Sequence, residues 1–113
     1  MKNLFLVVLS CVLSVKVFAQ ISPEVQKLQY YGYFNKAKLS LQKGIQGNPM
    51  NIDNYYELGV IYNRTNNQDS AKIVFTKLVE LYPKSPLSTV AQGFMSLNSG
   101  NKDEAKSFFE RAA

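Results

Sequence analysis

The sequence predicts an all-α protein built from about three antiparallel helical hairpins. The first observation is a step of 34 residues, on which small, aromatic and proline positions recur along the chain. The second is the spacing of apolar residues by three and four positions, which is typical of amphipathic helices. The third is the position of Asn, Ser and Pro, which stand where such helices would begin or end.

The 34-residue step holds at several independent positions, so the chain consists of similar units. It joins Ala37, Ala71 and Ala105; Leu41, Phe75 and Phe109; Pro49 and Pro83; and Gly59 and Gly93. A fixed period of this length is the signature of a repeat architecture. We place the units at about residues 20–51, 52–85 and 86–113.

The middle unit shows most clearly how one hairpin is built. Between positions 52 and 64 the residues Tyr55, Leu58, Gly59 and Tyr62 fall on one face of a helix, and apolar residues do the same between 68 and 81. A short polar segment, 65–67, separates the two predicted helices. Gly59 and Ala71 have almost no side chain, so we expect the two helices to approach closely there.

Capping residues agree with these boundaries. Asn51 and Ser85 precede predicted first helices, and their side-chain oxygens can accept from free N–H groups of the first turn. Asn101 with Glu104 resembles a capping box at the start of the last helix. Gly32 and Gly100 lie in the turns of the outer hairpins, where we expect a positive φ.

The middle unit resembles the tetratricopeptide repeat (TPR) family. The pattern W-x2-L-G-x2-Y…A-x3-F…P of that repeat is matched, with tyrosine at the first position, by Tyr55, Leu58, Gly59, Tyr62, Ala71, Phe75 and Pro83. The resemblance implies a right-handed superhelix of hairpins. The outer units depart from the pattern: Glu24 and Val25 replace the Leu-Gly pair, so we expect the first helix to be degenerate and to act as a cap.

The N-terminal residues 1–19 have the pattern of a cleaved signal peptide and are not predicted to be part of the fold. Lys2 precedes an apolar run over 4–15, and Ala19 precedes the expected cut. We therefore expect export to the periplasm, with or without outer-membrane association, or secretion. Lipidation of Cys11 is a disfavoured alternative, because Leu9 fits a lipobox poorly and the apolar run continues past the cysteine.

Composition excludes several classes of function. Removal of 19 of the 113 residues would leave 94 residues with 11 basic and 8 acidic side chains, a net charge of +3. This charge is too small to indicate nucleic-acid binding. The remaining chain would have no cysteine and no histidine, which excludes a Cys/His metal site, a thiol nucleophile, a Ser-His-Asp triad and disulfides. We expect no enzymatic activity, no cofactor and no metal.

The resemblance implies that the first helices of the hairpins line a concave groove for a protein or peptide. The residues off the packing face of these helices are the candidate site: Gln26, Gln29, Tyr30, Tyr56, Val60, Asn63, Arg64, Val90, Phe94 and Leu97. Tyrosine and arginine are frequent anchors in protein interfaces. The alternative is that some of these residues pack between hairpins, chiefly Val90, Phe94 and Leu97. A carboxylate clamp is not expected, because residues 86–98 carry no charge.

The sequence thus predicts a non-enzymatic scaffold for protein–protein interaction, exported to the periplasm or cell envelope. A second hypothesis is that the chain is the N-terminal part or a fragment of a longer envelope enzyme or substrate-binding protein. No polar capping helix follows the third unit, so the outer face of that unit could also support self-association.

Overall fold

The computed structural model describes residues 23–113, which form six α-helices. The predicted signal peptide, with Cys11, lies outside the described residues. In chain order the helices are α1 (Pro23–Tyr30), α2 (Phe34–Gly47), α3 (Ile52–Arg64), α4 (Gln68–Leu81), α5 (Pro86–Asn98) and α6 (Lys102–Ala112).

The helices pair into three antiparallel hairpins that stack in chain order. Helix α1 packs on α2, α3 on α4, and α5 on α6. Neighbouring hairpins are joined by contacts of α2 with α3, α4 with α5, and α3 with α5. The first helices α3 and α5 therefore lie side by side, and the second helices connect each hairpin to the next. The predicted all-α fold of three hairpins is confirmed.

The turns within the three hairpins share one backbone geometry. Gly32, Asn66 and Gly100 stand 34 residues apart, and their φ angles are 76°, 61° and 83°. In each turn the next residue donates its N–H to the carbonyl five residues earlier, over 2.8 to 2.9 Å. This arrangement is the Schellman motif, which ends a helix on a residue of positive φ. The expectation for Gly32 and Gly100 is confirmed, and Asn66 serves the middle hairpin in the same way.

Helix starts are capped largely as expected. Asn51, Ser85 and Asn101 each accept a hydrogen bond from a backbone N–H in the first turn of α3, α5 and α6. Asn67 caps α4 in the same manner, a role that we did not expect from the sequence. Tyr33 precedes α2, and its side chain makes no capping hydrogen bond. The first hairpin therefore lacks a side-chain cap that the other two have in their second helices.

Two glycines let aromatic rings sit directly on the backbone of the first helices. A Cβ atom on Gly59 would overlap the Phe75 ring, and one on Gly93 would lie 2.6 Å from a Phe109 ring carbon. The close approach that we expected at Gly59 is present, with the Phe75 ring lying directly over the glycine. The first hairpin has Val25 at the glycine position, and that valine is buried.

The core consists of two clusters that meet at α3. The first contains Val25, Ala37, Leu41, Leu58 and Ile61, and joins the first hairpin to α3. The second joins the middle and third hairpins: Tyr55, Tyr56, Ala71, Phe75, Leu78, Leu87, Val90, Ala91, Ala105 and Phe109. Because α3 contributes to both clusters, it is buried on two sides, and five consecutive residues, 55–59, are buried. This helix therefore positions the groove described below.

Candidate binding groove

A concave pocket lies between the first helices of the three hairpins. Its volume is about 330 Å³. It is lined by one residue of α1, five residues of α3 and one of α5: Gln29, Tyr56, Glu57, Val60, Asn63, Arg64 and Phe94. The pocket is thus built from all three hairpins, and its shape depends on how they stack. We call this pocket and its rim the groove.

The side-chain amide of Gln29 links two charged residues of α3. Its nitrogen donates to a carboxylate oxygen of Glu57 over 3.2 Å, and its oxygen accepts from the Arg64 guanidinium over 3.1 Å. The guanidinium carbon of Arg64 also lies 5.8 Å from the centre of the Phe34 ring. A cation held over an aromatic face is attracted by the ring quadrupole. Arg64 is exposed at the rim of the groove. Its contacts with Gln29 and Phe34 orient the guanidinium there.

A second inter-helix hydrogen bond lies further along the same surface. The Asn98 side-chain amide of α5 donates to the side-chain oxygen of Asn63 on α3 over 2.8 Å. This pair and the Gln29–Arg64 pair both join residues 35 positions apart, so they occupy the same place in successive repeats. Side-chain hydrogen bonds at one repeat position therefore fix the first helices to one another along the groove.

The floor of the groove is apolar and rigid. Val60 and Phe94 are half-buried, and Tyr56 is only 3% exposed. The Phe94 ring stacks on Phe75 with centroids 6.0 Å apart and meets Phe109 edge-on at 5.4 Å. Since these rings belong to the core, the floor is already packed in the absence of a ligand. A partner side chain would meet an apolar surface bordered by amides and a guanidinium.

The structure brings six of the ten predicted groove residues together in this pocket: Gln29, Tyr56, Val60, Asn63, Arg64 and Phe94. Gln26 and Tyr30 are exposed on α1 and do not line it. Leu97 is half-buried and packs against the second core cluster. Val90 is fully buried in that cluster, so it is not accessible to a ligand. Val90 therefore packs between hairpins, which is the alternative given in the sequence analysis.

Glu57 is a pocket residue that we did not predict. The residue is only 6% exposed, although its side chain carries a carboxyl group. It lies between Tyr56 and Leu58, in a run that is buried throughout because α3 packs on both sides. One feature of the sequence could have indicated Glu57: a carboxyl group that stands alone among packing residues requires a polar partner. Gln29 is such a partner.

Two further properties bear on the kind of site. No group of three or more His, Cys, Asp or Glu side chains within residues 23–113 could hold a metal ion. In the same range, no helix has both the length and the apolar character needed to cross a membrane.

Three stacked hairpins with a groove along their first helices define a helical-repeat protein. Residues 53–85 match the tetratricopeptide repeat family, and this unit is one of the three stacked hairpins. This match falls on the unit for which the sequence pattern was most complete.

The chain is also similar to two longer proteins. It is 27% identical over 79 residues to anaphase-promoting complex subunit 3 of Schizosaccharomyces pombe (strain 972 / ATCC 24843), an alignment that covers 70% of this chain and 12% of the relative. The crystal structure of MamA is similar with a TM-score of 0.64 and 25% identity, covering 78% of this chain and 52% of that chain. The chain therefore spans about one eighth of the first protein and half of the second.

Proposed function

We propose that this protein is an interaction module that binds a segment of a partner protein in the groove. The observation that carries the proposal is the pairing of an apolar floor with an exposed guanidinium held in place by Gln29 and Phe34. Pockets that combine apolar walls with a few fixed polar groups are the usual form of a binding site. The repeat class and the similarity to a subunit of a complex support the same conclusion.

The groove favours a partner segment with an apolar side chain followed by a hydrogen-bond acceptor. The apolar side chain would cover Val60 and Phe94, which are half-buried and have apolar surface to lose. The acceptor would meet Arg64, whose guanidinium has five N–H donors, more than its bond to Gln29 uses. Because the floor and the rim are already ordered, binding costs little conformational entropy on the side of this protein.

Export is a separate part of the proposal. We propose that the chain reaches the periplasm or cell envelope, on the basis of Lys2, the apolar run 4–15 and Ala19. Intact mass spectrometry of the native protein should give a chain that starts at Gln20. A mass that carries acyl groups on Cys11 would contradict this proposal and indicate a lipid-anchored protein.

We propose no catalytic step for this chain. After removal of the leader the sequence would contain neither histidine nor cysteine, and within residues 23–113 we find no arrangement of polar side chains that suggests catalysis. A second candidate is that the module belongs to a longer envelope enzyme or substrate-binding protein. It is favoured by the two similar proteins, which are both longer than the aligned part.

The test of groove binding uses peptides selected by display against the wild-type chain. Their affinity is then measured by calorimetry for wild type, for Arg64→Ala and for Arg111→Ala. Arg111 is a matched control, because it is also exposed and lies over a phenylalanine ring, Phe108, outside the groove. Loss of a charge-assisted hydrogen bond should weaken binding by about tenfold for Arg64→Ala. Equal affinity for both variants would contradict the groove proposal.

A further inference from the structure

We propose that the turn of the first hairpin is a docking surface for an anionic phospholipid bilayer. The surface consists of Tyr30, Tyr31 and Tyr33 with the neighbouring Lys27 and Lys36, and we call it the tyrosine tip. It lies apart from the groove, since none of its members lines that pocket. The inference is therefore independent of the proposed binding of a partner protein.

The tip is best understood by comparison with the equivalent turns of the other two hairpins. All three turns have the same Schellman hydrogen bonds and a residue of positive φ at the same position. The backbone of the first turn is thus the same as that of the others. What distinguishes it is the set of side chains that it carries.

Two of the three tyrosines replace residues that stabilise the other hairpins locally. Tyr33 stands at the position of Asn67 and Asn101, whose side chains cap α4 and α6. Tyr31 stands at the position of Thr65 and Ser99, whose hydroxyls donate to a carbonyl of the preceding turn over 2.9 and 3.0 Å. The Tyr33 side chain forms no cap, so a stabilising interaction is missing from the first hairpin.

Tyr30 makes the third difference. The equivalent residues, Arg64 and Asn98, each donate a hydrogen bond to the preceding hairpin. Tyr30 instead is 83% exposed, and Tyr31 and Tyr33 are 61% and 55% exposed. The first turn thus lacks the local side-chain hydrogen bonds that the other two turns have, and positions that break a local rule in this way are candidate functional sites.

The tyrosine rings form a continuous patch. The Tyr30 and Tyr31 rings meet edge-on with centroids 5.1 Å apart, and Tyr31 and Tyr33 are 6.5 Å apart. Among residues 23–113, six large hydrophobic side chains stand out as exposed, and four of them lie between positions 30 and 39. Exposed apolar surface is thus concentrated at one end of the molecule.

Charge indicates an anionic partner for this patch. Between Glu24 and Asp53 the sequence has four lysines and no acidic residue. Lys36 places its ammonium group 5.4 Å from the centre of the Tyr33 ring, and Lys27 lies in the last turn of α1. Cations and aromatic rings therefore share the same surface. The nearest carboxylate along the sequence is Glu24, one helical turn before Lys27 on α1.

The combination favours a bilayer over a protein partner. Protein interfaces are enriched in tyrosine and arginine but depleted in lysine, and every cation between Glu24 and Asp53 is lysine. Tyrosine rings sit at the headgroup level of membranes, and lysines are attracted to anionic lipids. The tip is also a turn whose three tyrosines are all exposed. It suits contact with an extended surface.

The experiment uses the absence of native tryptophan to place a single reporter in the tip of the full chain. Tyr31→Trp reports from the tip, and Ile73→Trp reports from another exposed apolar position on α4. Each variant is titrated with vesicles of phosphatidylglycerol and phosphatidylcholine, and with vesicles of phosphatidylcholine alone. We expect the tryptophan emission of the Tyr31→Trp variant to shift to shorter wavelength with the anionic vesicles. The emission of the Ile73→Trp variant should remain unchanged.

Three outcomes would overturn the proposal. The first is no shift in the emission of the Tyr31→Trp variant with anionic vesicles at low salt. The second is an equal shift with both lipid compositions, which would show that the contact does not depend on anionic lipid. The third is a response of the same variant to soluble polyglutamate but not to vesicles, which would assign the tip to an acidic protein segment.

A second set of variants tests the role of charge in the Tyr31→Trp background. Changing Lys27 and Lys36 to glutamine should weaken binding to the anionic vesicles by about fivefold for each lysine. The matched control changes Lys72 and Lys77 to glutamine, two exposed lysines on α4, and should leave the affinity unchanged. Equal losses in the two double variants would contradict a contact through the tip.

Discussion

Pairs of complementary residues set the spacing of the helices in each hairpin. Gly59 under Phe75 and Gly93 under Phe109 combine the smallest residue with a large ring. In the first hairpin the same two positions hold Val25 and Leu41, both buried. A larger residue on one helix is thus accompanied by a smaller one on the other. This exchange explains how the first hairpin keeps the fold without the usual glycine.

Replacement of Gly59 tests this contact. Because a side chain there would overlap the Phe75 ring, Gly59→Leu should lower the free energy of unfolding by about 1–3 kcal/mol. The matched control is Gly47→Leu, since a Cβ atom on Gly47 meets nothing within 4 Å. Thermal unfolding followed by circular dichroism measures both. Equal midpoints for the two variants would contradict the packing.

The turn residue Asn66 gives a second test with single substitutions. Its φ of 61° lies in the left-handed region, which asparagine and glycine tolerate better than other residues. Asn66→Ala should cost about 1 kcal/mol, whereas Asn66→Gly should retain the wild-type stability. Urea unfolding of both variants distinguishes them. An alanine variant as stable as the glycine variant would indicate a different turn.

Individual residues also show how far the sequence alone predicts the site. The groove positions Asn63 and Arg64 follow from repeat register, and the structure places both in the pocket. Glu57 and Val90 do not follow, because their environment depends on the rotation of one hairpin against the next. Periodicity defines the faces of a helix, but not which neighbour covers each face.

The three hairpins differ at the ends of their helices. Helices α4 and α6 begin with an asparagine cap, and α2 begins with Tyr33. Helix boundaries were accessible from the sequence because caps and positive-φ residues are local signals. The middle hairpin shows this well, since its helices span Ile52–Arg64 and Gln68–Leu81 as the apolar spacing predicts.

Because α2 begins without a side-chain cap, a substitution that supplies one should stabilise the protein. Tyr33→Asn would supply the cap that the other hairpins have, and should raise the free energy of unfolding by about 1 kcal/mol. Urea unfolding measures the change, and Asn67→Ala, which removes a native cap, should show the opposite sign. A Tyr33→Asn variant less stable than wild type would show that the tyrosine stabilises the fold itself.

The molecule as a whole places two different surfaces on one stack of hairpins. The groove lies along α1, α3 and α5, and its rim is held by hydrogen bonds between successive hairpins. The tyrosine tip lies at the turn of the first hairpin. Helix α3 joins both core clusters, so the hairpins are coupled through a shared helix. The groove is therefore a property of the stack and not of a single repeat.

Photo-crosslinking of a selected peptide tests groove binding most directly. A benzophenone amino acid replaces Val60 in the groove in one variant and Ile73, exposed on α4, in another. Mass spectrometry then identifies the crosslinked positions. We expect the peptide to crosslink at position 60 and not at position 73. Crosslinking at position 73 without crosslinking at position 60 would contradict the assignment of the groove.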